Sequence, residues 1–127
     1  VTQNDKLYIL GDVSFRINKL YMLHQIPCEK ILIRGNHDNR KTEEYLEYFT
    51  DVHGLVKKFG MWLTHAPIHE HSLRDCLNIH GHVHATSVMK GGNWDDRYIN
   101  VTVEALDGFP ISIDEIRNGT YWDKKVV

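Results

Sequence analysis

Three things that often reveal a protein's role are scarce here: cysteine, long apolar runs and charge of one sign. Only two cysteines occur in 127 residues, Cys28 and Cys76, well apart. That argues against a disulfide framework and fits reduced thiols in a cytoplasmic protein. No apolar stretch is long enough to cross a bilayer and no signal-peptide pattern opens the sequence, so no membrane role is expected. Fifteen basic residues against seventeen acidic ones leave a net charge of −2, without the basic excess of a nucleic-acid binder. Nucleic acid stays open only as a substrate, because bound cations would bring their own positive charge to a phosphate. Repeats, linkers and low-complexity tracts are also missing. A composition of 42% hydrophobic and 25% charged residues is that of an ordinary globular domain, and the length suits one.

Histidine is the outlier, with nine copies concentrated from His65 to His84. Four short polar clusters follow apolar runs: Gly11-Asp12, Gly35-Asn36-His37-Asp38, Thr64-His65 and Gly81-His82-Val83-His84. Short runs rich in Ile, Leu and aromatics that end at Gly read as buried strands. In open α/β sheets, ligands sit outside the carboxyl ends of strands. The early chain accordingly reads β-α-β-α. Strands are expected at residues 7–10 and 31–33, with a helical segment from Phe15 to Ile26 closed by Pro27. A second helix is expected to be N-capped by Thr42, with Glu43 and Glu44 in its first turn and Tyr45, Leu46, Tyr48 and Phe49 on its buried face. Later come strands at residues 55–56, 61–63, 98–104 and 111–113, with a loop at Gly91-Gly92-Asn93.

The residue types in the clusters suit a metal site. Asp12 follows a glycine that lets the backbone approach a ligand, and a carboxylate can bridge two cations. A Gly-Asp pair alone is more often a plain turn. Asn36 offers an amide oxygen, His37 a proton near neutral pH, and Asp38 a partner that fixes an imidazole tautomer. His82 and His84, two apart, share one side of an extended segment. His80 reads as a buried, hydrogen-bonded histidine. His24, His53, His69 and His71 read as surface residues or as residues that support the ligands from behind.

In this order, the four clusters resemble the calcineurin-like metallophosphoesterase family, and the Thr64-His65-Ala66-Pro67 segment is similar to the small bacterial and phage enzymes. The resemblance implies an α/β fold, a two-sheet β-sandwich flanked by helices in α-β-β-α layers, over a single domain of residues 1–127. It implies two transition-metal ions, Mn, Fe, Zn or Ni. Asp12 would bridge both, Asn36, His65 and His82 would complete the second, and His84 would ligate the first. His37, oriented by Asp38, would be general acid to a phosphomonoester or phosphodiester attacked by a metal-bound hydroxide. The family also carries an Asp-x-His motif on an earlier strand, and often a second Asp where this chain has Phe15. No Asp-x-His precedes Leu7, so the expectation is a domain lacking its first strand and helix, which the natural chain would supply upstream of Val1. Asp51-Val52-His53 has the spacing but follows the wrong strand. The rival readings are a catalytically degenerate scaffold of the same fold and a simple metal-binding protein.

Overall fold

The computed structural model describes residues 2–12 and 17–126, a mixed α/β arrangement of small sheets and short helices. Strands β1 (Lys6–Ile9), β2 (Glu29–Ile33) and β3 (Asp51–His53) form a parallel sheet in that order. Ile31, Leu32 and Ile33 are all buried, as a strand covered on both faces requires. Successive side chains point to opposite faces. Leu32 therefore joins a cluster with Leu20, Leu23, Tyr45 and Phe49. Ile33 joins a second cluster with Met61, Leu63, Ile79, Ile99 and Tyr121.

The second sheet contains β4 (Leu55–Lys58), β5 (Met61–Thr64), β6 (Asn78–His80) and the strand at Tyr98–Asn100, paired in that order. β4 and β5 are antiparallel, whereas β5, β6 and Tyr98–Asn100 run parallel. Between β6 and Tyr98–Asn100 the chain makes a separate hairpin of β7 (Met89–Lys90) and β8 (Asn93–Trp94), so Tyr98–Asn100 is β9. The hairpin turns on Gly91 and Gly92, both at positive φ, as a tight two-residue turn demands. Among the described residues β1 is an edge strand, and an apolar groove of about 430 Å³ beside it is lined by Tyr8, Leu10, Leu63, Ile79 and Val101. No helix among the described residues is long and apolar enough to cross a membrane.

Several local expectations are corrected. The expected first helix is a 3₁₀ segment over Ile17–Gln25, and Phe15 lies outside the described residues. Helix α1 spans only Thr42–Tyr45; its N-cap is Lys41, and the Thr42 hydroxyl accepts a bond from Arg34 Nη1 at 3.1 Å instead of capping. Tyr45 and Phe49 are buried, but Leu46 is exposed. The loop expected at residues 91–93 is a hairpin turn running into β8.

The strand expected over residues 98–104 stops at Asn100. There the Asn100 amide donates to the carbonyls of His84 and Thr86, and its oxygen accepts Thr102 N–H at 3.0 Å. Such side-chain-to-backbone bonds offer the chain an alternative to a ladder. The strand expected at residues 111–113 is the start of helix α2 (Ile113–Arg117), capped by Ser112 in a reciprocal capping box with Glu115. Helix α3 (Thr120–Lys124) follows, and its fully buried Tyr121 hydroxyl accepts Asn100 N–H and donates to Asn100 C=O, both at 2.9 Å. That hydroxyl covers backbone groups on β9, and burial pushes its pKa up to about 12.

Candidate metal centre

Four strand ends meet at one place. β1 continues through Leu10 into Gly11-Asp12, and β2 through Arg34 into Gly35-Asn36. β5 runs into His65, and β6 into Gly81-His82. The last two are tied directly, Gly81 N–H donating to the His65 carbonyl at 2.7 Å.

His65 is the deepest member, 8% exposed. Its Nδ1 lies 2.7 Å from the Leu10 carbonyl. A carbonyl can only accept, so Nδ1 carries a proton and Nε2 faces the site. Nε2 lies 2.9 Å from Asn36 Oδ1, 3.0 Å from His82 Nδ1 and 3.3 Å from Asp12 Oδ2. The donor atoms of Asp12, His65 and His82 all fall within 4.8 Å of one another.

Four polar atoms gathered this closely are a set that could hold a metal ion. Ligand atoms about 2.1 Å from a cation are about 3.0 Å apart at right angles and about 3.4 Å apart at the tetrahedral angle. The separations around Nε2 fall in that interval or at its lower edge. The donors are two imidazole nitrogens, a carboxylate and an amide oxygen, a set suited to Mn, Fe, Zn or Ni.

The backbone is shaped to allow the approach. A Cβ on Gly11 would lie 2.4 Å from His65 Nδ1 and 2.7 Å from Gly35 Cα. One on Gly35 would lie 2.5 Å from Asp12 Oδ1 and 2.6 Å from Asp12 N. Asp12, His82 and His84 adopt left-handed backbone, with φ of 51°, 69° and 53°. Such conformations cost a non-glycine residue about 1–3 kcal/mol and persist where surrounding bonds over-determine them.

The expected residues divide accordingly. Asp12, Asn36, His65 and His82 converge. His84 does not join them. The expectation that His82 and His84 share one side assumed an extended segment, and their left-handed backbone breaks that period. The exposed His84 ring instead pairs with Glu104, Nδ1 to Oε1 at 2.9 Å, and this bond holds the Glu104 pKa below the usual carboxylate range. The His84 carbonyl is held by Asn100 Nδ2 and Thr102 Oγ1, both at 2.7 Å.

His37 is exposed beside Asn36, and its backbone N–H donates to Asp12 Oδ1 at 2.9 Å. Asp38 is buried, and its Oδ2 accepts Asp12 N–H at 2.7 Å and Gly35 N–H at 2.8 Å. Arg34 holds the same loop, donating from Nε to the Asp38 carbonyl at 2.9 Å and from Nη2 to the Arg40 carbonyl. His80 is buried with Nδ1 3.0 Å from the Gly81 carbonyl, as expected, and desolvation holds its pKa below the ordinary value. Among the surface histidines, His53 pairs with Asp51, and His69 Nδ1 accepts His71 N–H. Sequence reasoning missed the Leu10 carbonyl and Glu104. A backbone acceptor leaves no trace in residue type, and Glu104 lies twenty residues beyond its partner.

No family model matches the chain, and no curated protein matches it. Among solved structures the chain is similar to AQ665, a protein of unknown function from Aquifex aeolicus. The identity is 28% and the TM-score 0.67, over 93% of this chain and 77% of that one.

Proposed function

We propose that this protein is a metal-dependent phosphoesterase whose cation is held by Asp12, Asn36, His65 and His82. The observation that carries the cation is the gathering of polar atoms around His65 Nε2, at strand ends closed up by Gly11 and Gly35. The reaction class rests on the resemblance of the four clusters to the calcineurin-like metallophosphoesterases. On the same reading the two larger sheets are the layers of a two-sheet sandwich. The packing of Tyr8, Leu10 and Ile33 against Leu63 and Ile79 favours that arrangement. The free Cys28 and Cys76 fit a cytoplasmic location.

A bound cation would supply Lewis acidity toward a phosphoryl oxygen and a lowered water pKa. The chain's own residues do the rest. His65 anchors the site through the Leu10 carbonyl. Asp12 turns one oxygen to the site and keeps the other on His37 N–H. His37, exposed beside Asn36, would give a proton to a departing alkoxide. A phosphomonoester or phosphodiester would reach the rim from solvent, where Asn36, His37 and His82 are open.

The second reading is a metal-binding or scaffold protein with one cation and no turnover, favoured by the pairing of His84 with Glu104 outside the cluster. Elemental analysis and hydrolysis of an alkyl phosphomonoester and an alkyl phosphodiester, both with poor leaving groups, on the natural protein containing these residues, separate the two. Bound transition metal with hydrolysis that falls about 10²–10⁴-fold in His37→Ala, metal retained, supports the enzyme. Bound metal without hydrolysis of either ester supports the second reading. Absence of bound metal overturns both.

A further inference from the structure

The buried carboxylate of Asp38 bonds backbone at two of the strand ends that form the cation site. Its Oδ2 accepts two backbone N–H groups from different strand ends, Asp12 at 2.7 Å and Gly35 at 2.8 Å. Both distances are those of charge-assisted bonds. Asp12 answers across the same gap, its Oδ1 accepting His37 N–H at 2.9 Å. The two loops are thus joined by carboxylates that exchange backbone donors. One consequence is directional: with Oδ1 of Asp12 committed to His37 N–H, Oδ2 is the oxygen left 3.3 Å from His65 Nε2. The other concerns the backbone, because the left-handed Asp12 is held at its own N–H by Asp38.

We propose that Asp38 is a positioning residue that clasps the β1 and β2 loops and so aims the Asp12 carboxylate into the cation site. This rests on the cation site proposed above. Asp38 touches neither metal nor substrate on this account and acts through Asp12. Partners of this kind typically contribute about 10–100-fold to metal affinity.

The test is Mn²⁺ titration of the natural protein as wild type, Asp38→Asn and Asp38→Ala, with amide hydrogen exchange at Asp12 and Gly35 measured after chelation. The expected result is about a 10–100-fold loss of affinity in Asp38→Ala and a smaller loss in Asp38→Asn, whose amide oxygen can still accept both N–H groups but without the negative charge that strengthens them. The Asp12 and Gly35 amides should exchange slowly in the wild type and faster in both variants. Chelated Asp38→Asn should melt within a few degrees of chelated wild type, so that its loss reports the site and not the fold. If Asp38→Ala does not fold, Asp38→Asn carries the test. Unchanged affinity in the folded variants overturns the clasp, as does an affinity loss fully explained by unfolding. Wild-type protein that takes up no Mn²⁺ overturns the cation site and the positioning role with it. Fast wild-type exchange at both amides overturns the clasp without reference to metal.

Discussion

Two sets of glycine-bearing turns divide this molecule. At the strand ends around His65, Gly11, Gly35 and Gly81 are pressed against neighbours, with Gly81 the loosest at 3.1 Å from the Leu10 carbonyl. At the hairpin and the outer loops, Gly54, Gly60, Gly91, Gly92, Gly108 and Gly119 would meet nothing within 4 Å if given a Cβ. The outer set, apart from Gly54, adopts positive φ, so it is there to turn the chain. The inner set lets loops approach, although Gly11, at a φ of 89°, also turns the chain. A fold that needed only its turns would not crowd the glycines around one histidine. The difference marks the β1, β2, β5 and β6 ends as the place where geometry is most constrained.

The contrast breaks most sharply at Gly35. In Gly35→Ala the new methyl meets Asp12 Oδ1 and Asp12 N, and the second is backbone that cannot rotate aside. Overpacking of this kind costs about 1–3 kcal/mol in stability. Metal retention should fall further than stability, because the displaced group is itself a ligand. Elemental analysis beside a chemical melt reads both. Normal metal content in Gly35→Ala would mean the close approach serves packing alone.

A second cut separates the histidines. His65→Ala removes the atom on which the other donors converge, and metal affinity should fall by more than the about 10–100-fold loss typical of an outer partner. His84→Ala removes an exposed ring paired with Glu104 and should leave the affinity for a first cation within about threefold, well below that range. Equal losses in the two variants would place His84 in the site after all and revive a dinuclear centre.

How far the sequence was readable follows from the same division. β1, β2, β5 and β6 were legible because each is an apolar run ending in a residue type with a chemical purpose. His65 and Asn36 were legible as members of one cluster for that reason. His82 and His84 were not separable, since the period-two rule presumes extended backbone and nothing in residues 82–84 announces two left-handed histidines. Asp38 was assigned to its neighbour His37, while the N–H groups seen on its Oδ2 include one from twenty-six residues away. Long-range partners of that sort are written in the fold and not in the local pattern. The tail failed differently. Ile111-Ser112-Ile113 mimics alternation, yet Ser112 and Glu115 spell a capping box that was available to be read.

Acid sharpens the comparison by separating site from scaffold. Metal binding should weaken as the histidine ligands protonate, since ligands must be deprotonated to bind. The fold has its own acid weakness at Asp95, whose pKa is lowered chiefly by its bond to Arg97. A carboxyl with a lower pKa in the folded state contributes stability above its unfolded value of 3.8, and that contribution is lost as pH falls through the folded value. Urea midpoints of the chelated wild type should therefore drop as pH falls below about 3.8, and those of Asp95→Asn should drop less. Metal loss should already be complete above that pH. Coincident loss of metal and fold would show that the site and the scaffold titrate together.

The smallest effect is expected at Gly54, the one outer glycine without positive φ. It lies between β3 and β4, and a methyl there would enter open space. Alanine in such a position removes conformational freedom from the unfolded chain without straining the folded one. Gly54→Ala should therefore be neutral or more stable by about 0.4–1 kcal/mol. Metal affinity should be untouched, because the added methyl would meet none of the inner loops. The measurement is a pair of urea curves with a Mn²⁺ titration on each protein. A loss of stability or affinity comparable to that of Gly35→Ala would abolish the distinction between the two sets, and with it the inference that tight glycines mark the site.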